Sequence, residues 1–159
     1  MSILPLSTFL TVVENAPLVS IDLLVGDGQG NYLLGLRNNR PAKGYWFVPG
    51  GRVHKNELIS SAFSRLAKEE LGASLNIKNA EFMGVFEHLY DDNFSGENFS
   101  THYVVLALKV TVDPDDLALP IAQHSRYRWQ SIDVLRAAQD VHQHSKWYFQ
   151  GKDVLGRIE

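Results

Sequence analysis

Short apolar runs separated by turn residues dominate the first half of the chain. Residues 18–25 (LVSIDLLV) and 32–37 (YLLGLR) predict two strands. The glycine-rich segment 26–31 between them predicts a tight turn, because glycine adopts the positive φ angles that such turns need. The two strands should therefore form a hairpin. A short aromatic strand is predicted at residues 45–48, just before a Pro-Gly-Gly turn.

Two longer strands are predicted further along, at residues 81–90 and 101–112. The second of them alternates between two sets of side chains with a period of two, as a strand does. The polar loop 91–100 between them suits either an antiparallel return or a lid over a site. A short strand is predicted at residues 127–130.

Helical spacing of apolar residues predicts a helix over residues 57–71, which Gly72 would end. Ser131 is a predicted N-cap for a helix that runs through Ala138, and a last helix is predicted at residues 141–150. Mostly antiparallel strands with a few helices indicate an α+β fold with helices packed on a sheet. We expect one domain over residues 1–159.

Composition narrows the classes of partner. With 15 basic and 18 acidic residues the net charge is −3, so the chain has no general electrostatic attraction to nucleic acid or anionic membranes. The absence of cysteine excludes disulfides, thiolate catalysis and cysteine-built metal sites. No apolar run approaches the roughly 20 residues of a membrane span, and no signal peptide is recognisable. We therefore expect a cytoplasmic protein with a small-molecule partner.

Carboxylates cluster along the helix predicted at residues 57–71. Glu57, Arg65 and Glu69 share one face with Ser61, and Glu70 lies beside Glu69. Clustered carboxylates repel one another, so such a face usually binds a cation. Oxygen ligands without cysteine indicate a hard ion, Mg²⁺ or Mn²⁺, whose shell substrate phosphates can complete.

The same segment resembles the Nudix box. The matching residues, at the spacing of the family, are Gly51, Glu57, Arg65, Glu69, Glu70 and Gly72. This signature is long and specific. The resemblance implies a helix–sheet–helix sandwich with a mixed sheet, and hydrolysis of a nucleoside diphosphate linked to another group.

One position departs from the box, and it leaves three hypotheses open. Leu66 stands where the box has the glutamate that in many members binds metal or activates water. The chain could be a non-catalytic nucleotide-binding domain, or a pyrophosphohydrolase with a replacement base. The third hypothesis is the GDP-mannose mannosyl hydrolase branch, which also lacks this glutamate. The stretches PLVSIDLLV, NRPAKGYWFVPGGRV, YDDNFSGENFSTHYVV and QHSRYRW resemble that branch.

The resemblance to this branch implies a reaction and an assembly. Its members are homodimers that cleave GDP-mannose, and in our hypothesis also GDP-glucose, at the C1–oxygen bond. Water attacks C1 with inversion and gives GDP and the free sugar. The implied Mg²⁺ ligands are the Gly50 carbonyl, the Glu70 carboxylate and the Gln123 side chain, and the implied general base is His124.

The remaining roles are implied in the same way. Arg37, Arg52 and Tyr103 would bind the diphosphate, since guanidinium groups recognise phosphate oxygens bidentately. Asp22 and His88 would contact the sugar, and Tyr90 would bind the substrate beside His88. The catalytic residues implied with His124 are Asp22, Arg37, Arg52 and Tyr103. Supporting residues, which hold the carboxylates in place, would be Arg65, Glu69 and Glu57. The loop 91–96 would help to form the site, partly across the dimer.

Overall fold

The computed structural model describes residues 4–121 and 124–155. Its helices are α1 (Leu6–Asn15), α2 (Ile59–Leu71), α3 (Ile132–Ala137) and α4 (Gln143–Tyr148), with short 3₁₀ turns at Ile77–Asn79 and Pro114–Asp116. Its strands are β1 (Leu18–Gly26), β2 (Asn31–Arg37), β3 (Trp46–Phe47), β4 (Gly50–Arg52), β5 (Glu81–Tyr90), β6 (Thr101–Thr111) and β7 (His124–Ser131).

All seven strands join one mixed sheet. The order is β3-β2-β1-β6-β5, with β4 on β1 and β7 on β2, and only β1 and β6 run parallel. Side chains on alternate positions of β1 enter two separate cores. Ile21 and Leu23 pack with α2 on one face, and Leu24 packs with α3 and α4 on the other. The α+β class and the helix–sheet–helix sandwich with a mixed sheet are therefore confirmed.

The hairpin of β1 and β2 opens away from its turn. The two strands pair at Gly26 and Tyr32, but further on β3 takes the place of β1 beside β2. Across the gap, β4 pairs with β1, with Gly50 opposite Asp22. Residues 46–52 thus lie between the two strands. This wedge was not predicted, because the Pro-Gly-Gly sequence indicated only a turn after the short aromatic strand.

Helix α2 begins two residues later than predicted. Asn56 has a left-handed backbone with φ of 64°, and Glu57 and Leu58 precede the first helical residue. Leu58, which the predicted helix includes, is 72% exposed and does not belong to its buried face. The buried stripe is Ala62, Phe63, Leu66, Ala67, Glu70 and Leu71. Gly72 ends the helix in the left-handed conformation, as predicted.

The last strand and the last helix begin at different residues from those predicted. β7 starts at His124 rather than at residue 127, so His124 lies in a strand and not in a loop. α4 begins only at Gln143, because Val141 forms a bridge with Trp46 in extended backbone. Ser131 caps α3 as predicted, with its side chain accepting from the Val134 N–H. Helix α1 was not predicted at all.

Candidate active site

A narrow pocket opens where β4 separates β1 from β2. Its walls come from strands β1 to β6, together with Pro41 and Val48. Seven residues that the sequence singled out line it: Asp22, Arg37, Gly50, Arg52, His88, Tyr90 and Tyr103. Tyr90 also borders a wider open groove of about 800 Å³ that Arg40, Tyr45, Asp91, Asp92 and His142 help to line. A ligand larger than the pocket has room to extend into this groove.

Asp22 lies in the pocket and is only 7% exposed. Burial raises its pKa to about 7, while the hydrogen bond from Tyr148 and the charge of Arg37 act in the opposite direction. Gly50 lies directly across from Asp22, and a Cβ at this position would be 2.6 Å from the Ile21 carbonyl oxygen. Glycine is therefore required where β4 passes the carboxylate.

Positive charge enters the pocket from two arginines. The Nε–H of Arg37 donates to the Pro41 carbonyl at 2.9 Å, which fixes the guanidinium at the end of β2. Arg52 stacks over the ring of Phe9, with 4.3 Å from Cζ to the ring centroid. Two guanidinium groups in one pocket match the charge and shape of a diphosphate.

Two tyrosines line the pocket beside the arginines. The rings of Tyr90 and Tyr103 meet edge to face at 6.4 Å. Burial raises the pKa of both phenols, so they stay protonated near neutral pH and can donate hydrogen bonds to an anion.

Arg65 neutralises most of the predicted carboxylate cluster. Its Nε and Nη2 donate to the two Glu57 oxygens at 2.7 and 2.9 Å, and Nη1 donates to Glu69 at 2.9 Å. Nη2 also donates to the Arg52 carbonyl at 2.8 Å, which ties α2 to β4. This bidentate contact lowers the pKa of Glu57 to about 2. Glu57 and Glu69 therefore face an arginine, which is the arrangement expected of supporting residues rather than of metal ligands.

Leu66 is buried against the wedge. Its exposure is 2%, and a Cβ on Gly51 would lie 2.5 Å from its Cδ2 atom. Glu70 follows one turn later on the same helix face and is 4% exposed. The face of α2 that meets β4 thus presents leucine and one carboxylate, where the box would present two carboxylates.

Glu70 is the carboxylate with the environment of a metal ligand. Burial, reinforced by the charge of Glu69, raises its pKa to about 7, so a bound cation would stabilise the ionised form. Among residues 4–121 and 124–155, no three His, Cys, Asp or Glu side chains converge on one point. Mg²⁺ needs only one or two carboxylates, because water and substrate phosphate complete its shell. A carboxylate at Glu70 and a backbone carbonyl at Gly50 are oxygen donors of the kind that this ion takes. The third predicted ligand, Gln123, lies outside the described residues.

His124 packs between β2 and Glu70. It pairs with Arg37 across the sheet, and its Nδ1 lies 4.0 Å from Oε2 of Glu70. Within the described part of the chain this Nδ1 makes no hydrogen bond. Burial and the charge of Arg37 lower its pKa to about 4, so the imidazole is neutral at pH 7. A Cβ on Gly35 would lie 2.6 Å from the His124 ring, so glycine leaves room for it.

Sequence reasoning missed residues of α4 behind the pocket. The Tyr148 hydroxyl donates to Asp22 and lies 3.2 Å from Nε2 of His88. The ring of His144 stacks on His88 at 4.3 Å with an interplanar angle of 10°. Tyr148 is 126 positions from Asp22 in the chain, so no local pattern could have connected them.

The loop 91–96, predicted to help form the site, borders the groove through Asp91 and Asp92. No helix in the described part of the chain is long and apolar enough to cross a membrane.

Comparison with known proteins agrees with this architecture. The family model of the NUDIX domain matches residues 16–150. The crystal structure of the MutT protein from Methanosarcina mazei Go1 superimposes with a TM-score of 0.69 at 20% identity, covering 86% of this chain and 93% of that one. The MutT NUDIX hydrolase from Burkholderia pseudomallei gives a TM-score of 0.69 at 22% identity, covering 87% and 99%.

The chain belongs to the Nudix family, and it is a Nudix hydrolase by class. Nudix hydrolases generally use a divalent metal such as Mg²⁺ and act on small nucleotide substrates. Within the family it is similar to the low-salt glycan biosynthesis protein Agl8 of Haloferax volcanii. The two are 45% identical over 117 residues, which is 74% of this chain and 72% of that protein. The family predicted from the box is thereby confirmed.

Proposed function

We propose that the protein hydrolyses GDP-mannose to GDP and mannose, with water attacking C1 of the sugar and inverting it. The observation that carries this proposal is the burial of Leu66 against Gly51, one turn before Glu70. A leucine there can neither bind a metal nor accept a proton. With Glu57 and Glu69 engaged by Arg65 and with Glu70 assigned to the metal, no further carboxylate of this segment is left to activate water beside phosphorus.

The base is then His124, which lies outside the box. Its imidazole is neutral at pH 7 and its Nδ1 makes no hydrogen bond within the described residues, so it can take a proton from water. An inverting hydrolysis at C1 needs a base on the face opposite the leaving group, and GDP, as a good leaving group, can depart as an anion without a protonating acid. The low pKa of about 4 makes His124 a weak base in the protein without substrate. A bound anionic diphosphate offsets the charge of Arg37 and strengthens it.

The GDP leaving group is bound by the basic wall of the pocket. Arg37 and Arg52 provide guanidinium donors, and Tyr103 provides a phenol that stays protonated. Glu70, the Gly50 carbonyl and Gln123 would hold Mg²⁺. When bound, the metal supplies Lewis-acid stabilisation of the charge that develops on the departing diphosphate.

The sugar is assigned to the buried end of the pocket. Asp22, His88 and Tyr90 present a carboxylate, an imidazole and a phenol there. Such groups hydrogen-bond sugar hydroxyls, and Asp22 is held in place by Tyr148. The similarity to a protein named for glycan biosynthesis supports a sugar nucleotide as the substrate. The assembly we propose is a homodimer, which size-exclusion chromatography with light scattering tests.

Product analysis tests the proposal. The protein is incubated with Mg²⁺ and either GDP-mannose, GDP-glucose, GDP-fucose or ADP-ribose, and the nucleotides are separated by anion exchange. We expect GDP from GDP-mannose, and no turnover when EDTA removes the metal. GMP and mannose 1-phosphate would instead identify a pyrophosphohydrolase. Binding of GDP-mannose without any turnover would identify a non-catalytic domain.

A further inference from the structure

Tyr148 connects two pocket residues whose strands, β1 and β5, are separated in the sheet by β6. Its hydroxyl contacts Oδ2 of Asp22 on β1 and lies 3.2 Å from Nε2 of His88 on β5. Tyr148 itself is on α4, is 4% exposed, and does not line the pocket. It therefore touches the two residues assigned to the sugar without touching the sugar.

The packing around Tyr148 leaves its hydroxyl little freedom. Its ring meets Phe86 edge to face at 4.6 Å, inside the core cluster that also contains Leu24 and Val105. A phenol has one proton to donate and can accept at the same oxygen. Burial and the neighbouring Asp22 carboxylate raise the pKa of Tyr148 well above its usual value, so the phenol keeps that proton.

These contacts determine the direction of both hydrogen bonds. Above its pKa of about 7 Asp22 is ionised and can only accept, so the Tyr148 proton then points to Asp22. The contact with His88 is then a hydrogen bond only if Nε2 of His88 carries a proton and donates to the Tyr148 oxygen. His88 in its neutral form is consequently the Nε2–H tautomer. Its other nitrogen, Nδ1, is the one that lacks a proton.

We propose that Tyr148 is a positioning residue that orients Asp22 and fixes the tautomer of His88 through directed hydrogen bonds from His88 Nε2–H to Tyr148 and from Tyr148 to Asp22. The ring of His144, stacked on His88 at 4.3 Å, holds the plane of the His88 ring. Together these contacts determine which pocket groups accept and which donate to sugar hydroxyls. The role in sugar binding rests on the function proposed above, whereas the tautomer of His88 does not.

The first test is spectroscopic and needs no substrate. In protein labelled with ¹⁵N, two-bond proton–nitrogen correlations distinguish protonated from unprotonated imidazole nitrogens. The spectrum is recorded at pH 8.5 and His88 is assigned by the loss of its signals in His88→Gln. We expect the Nε2–H pattern in the wild type and a mixture of both tautomers in Tyr148→Phe. An Nδ1–H pattern in the wild type, or an unchanged pattern in Tyr148→Phe, would overturn the proposal.

The second test is kinetic, with Tyr32→Phe as the matched control. Tyr32 belongs to the same core cluster as Tyr148 but does not line the pocket. We expect Tyr148→Phe to lower kcat for GDP-mannose by about tenfold, the loss of one hydrogen bond to a charged group. Tyr32→Phe should leave kcat unchanged, and circular dichroism should show both variants folded. Equal kcat values for both variants would refute the positioning role.

The two tests fail separately. If the wild-type protein does not cleave GDP-mannose, the proposed function fails, but the tautomer of His88 still decides whether the directed hydrogen bonds exist. If GDP-mannose is cleaved and the tautomer is wrong, only the role of Tyr148 fails.

Discussion

The contact between Arg65 and Glu57 should make the stability of the fold depend on pH in the acidic range. Glu57 accepts two hydrogen bonds from the guanidinium and one from the His54 N–H at 2.9 Å, and its side chain is 2% exposed. The perturbation that isolates its charge is Glu57→Gln. This variant keeps the shape and an amide oxygen but cannot ionise.

The magnitude follows from the pKa shift. The pKa falls from 4.5 to about 2 on folding, which corresponds to about 3 kcal/mol of stability at pH 7 from the ionised carboxylate. Because the folded pKa is the lower one, this contribution is complete above the unfolded pKa and is lost as the pH falls toward the folded pKa. At pH 3.5 it should have decreased to about 2 kcal/mol.

Urea unfolding measured at pH 7 and pH 3.5 checks this prediction. The quantity of interest is the difference in unfolding free energy between the wild type and Glu57→Gln, in which the other titrating groups cancel. Glu69→Gln is the control, since Glu69 meets the same arginine but its side chain is 54% exposed. That variant should cost under about 0.5 kcal/mol. A Glu57→Gln difference that does not change with pH, or that equals the control, would refute the argument.

Four further substitutions test the site. Glu70→Gln should reduce turnover severely and raise the Mg²⁺ concentration needed for half-maximal activity, which a metal titration measures. His124→Ala should lower kcat by about 10²–10⁴, which steady-state kinetics with saturating GDP-mannose measures and which a loss of less than about tenfold would contradict. Gly35→Ala places a Cβ 2.6 Å from the His124 ring. It should therefore displace the imidazole and lower kcat, and a thermal melt should show that the variant is still folded at the assay temperature. Leu66→Glu buries a carboxylate against Gly51 and should destabilise the fold by about 2 kcal/mol or more in urea unfolding, with no gain of GMP as a product.

The strands and the central helix could be predicted because their patterns are local. The alternation in residues 101–112 and the stripe of Phe63, Leu66 and Ala67 in α2 depend only on which face meets the core. The residues at which helices and strands begin and end were harder to predict. Glu57 has the composition of a helical residue, but its contacts with Arg65 and with the His54 N–H hold it in the turn before α2.

Several residues that line the pocket could be predicted, but the contacts that hold them there could not. Asp22 and His88, which the resemblance to the family identified, are polar interruptions of apolar strands, and both line the pocket. Their partner Tyr148 could not be identified, because it joins them only through packing of a helix more than a hundred positions away from Asp22. The wedge of residues 46–52 between β1 and β2 likewise depends on pairing across the sheet, which a local pattern does not reveal.

The most direct test of the proposed chemistry is to determine which bond of GDP-mannose is cleaved. The protein is incubated with GDP-mannose and Mg²⁺ in water enriched in oxygen-18, and the products are read by mass spectrometry. The account predicts the label in free mannose and none in GDP, since water attacks C1. Label in GMP or in mannose 1-phosphate would place the attack on phosphorus and contradict the role assigned to His124.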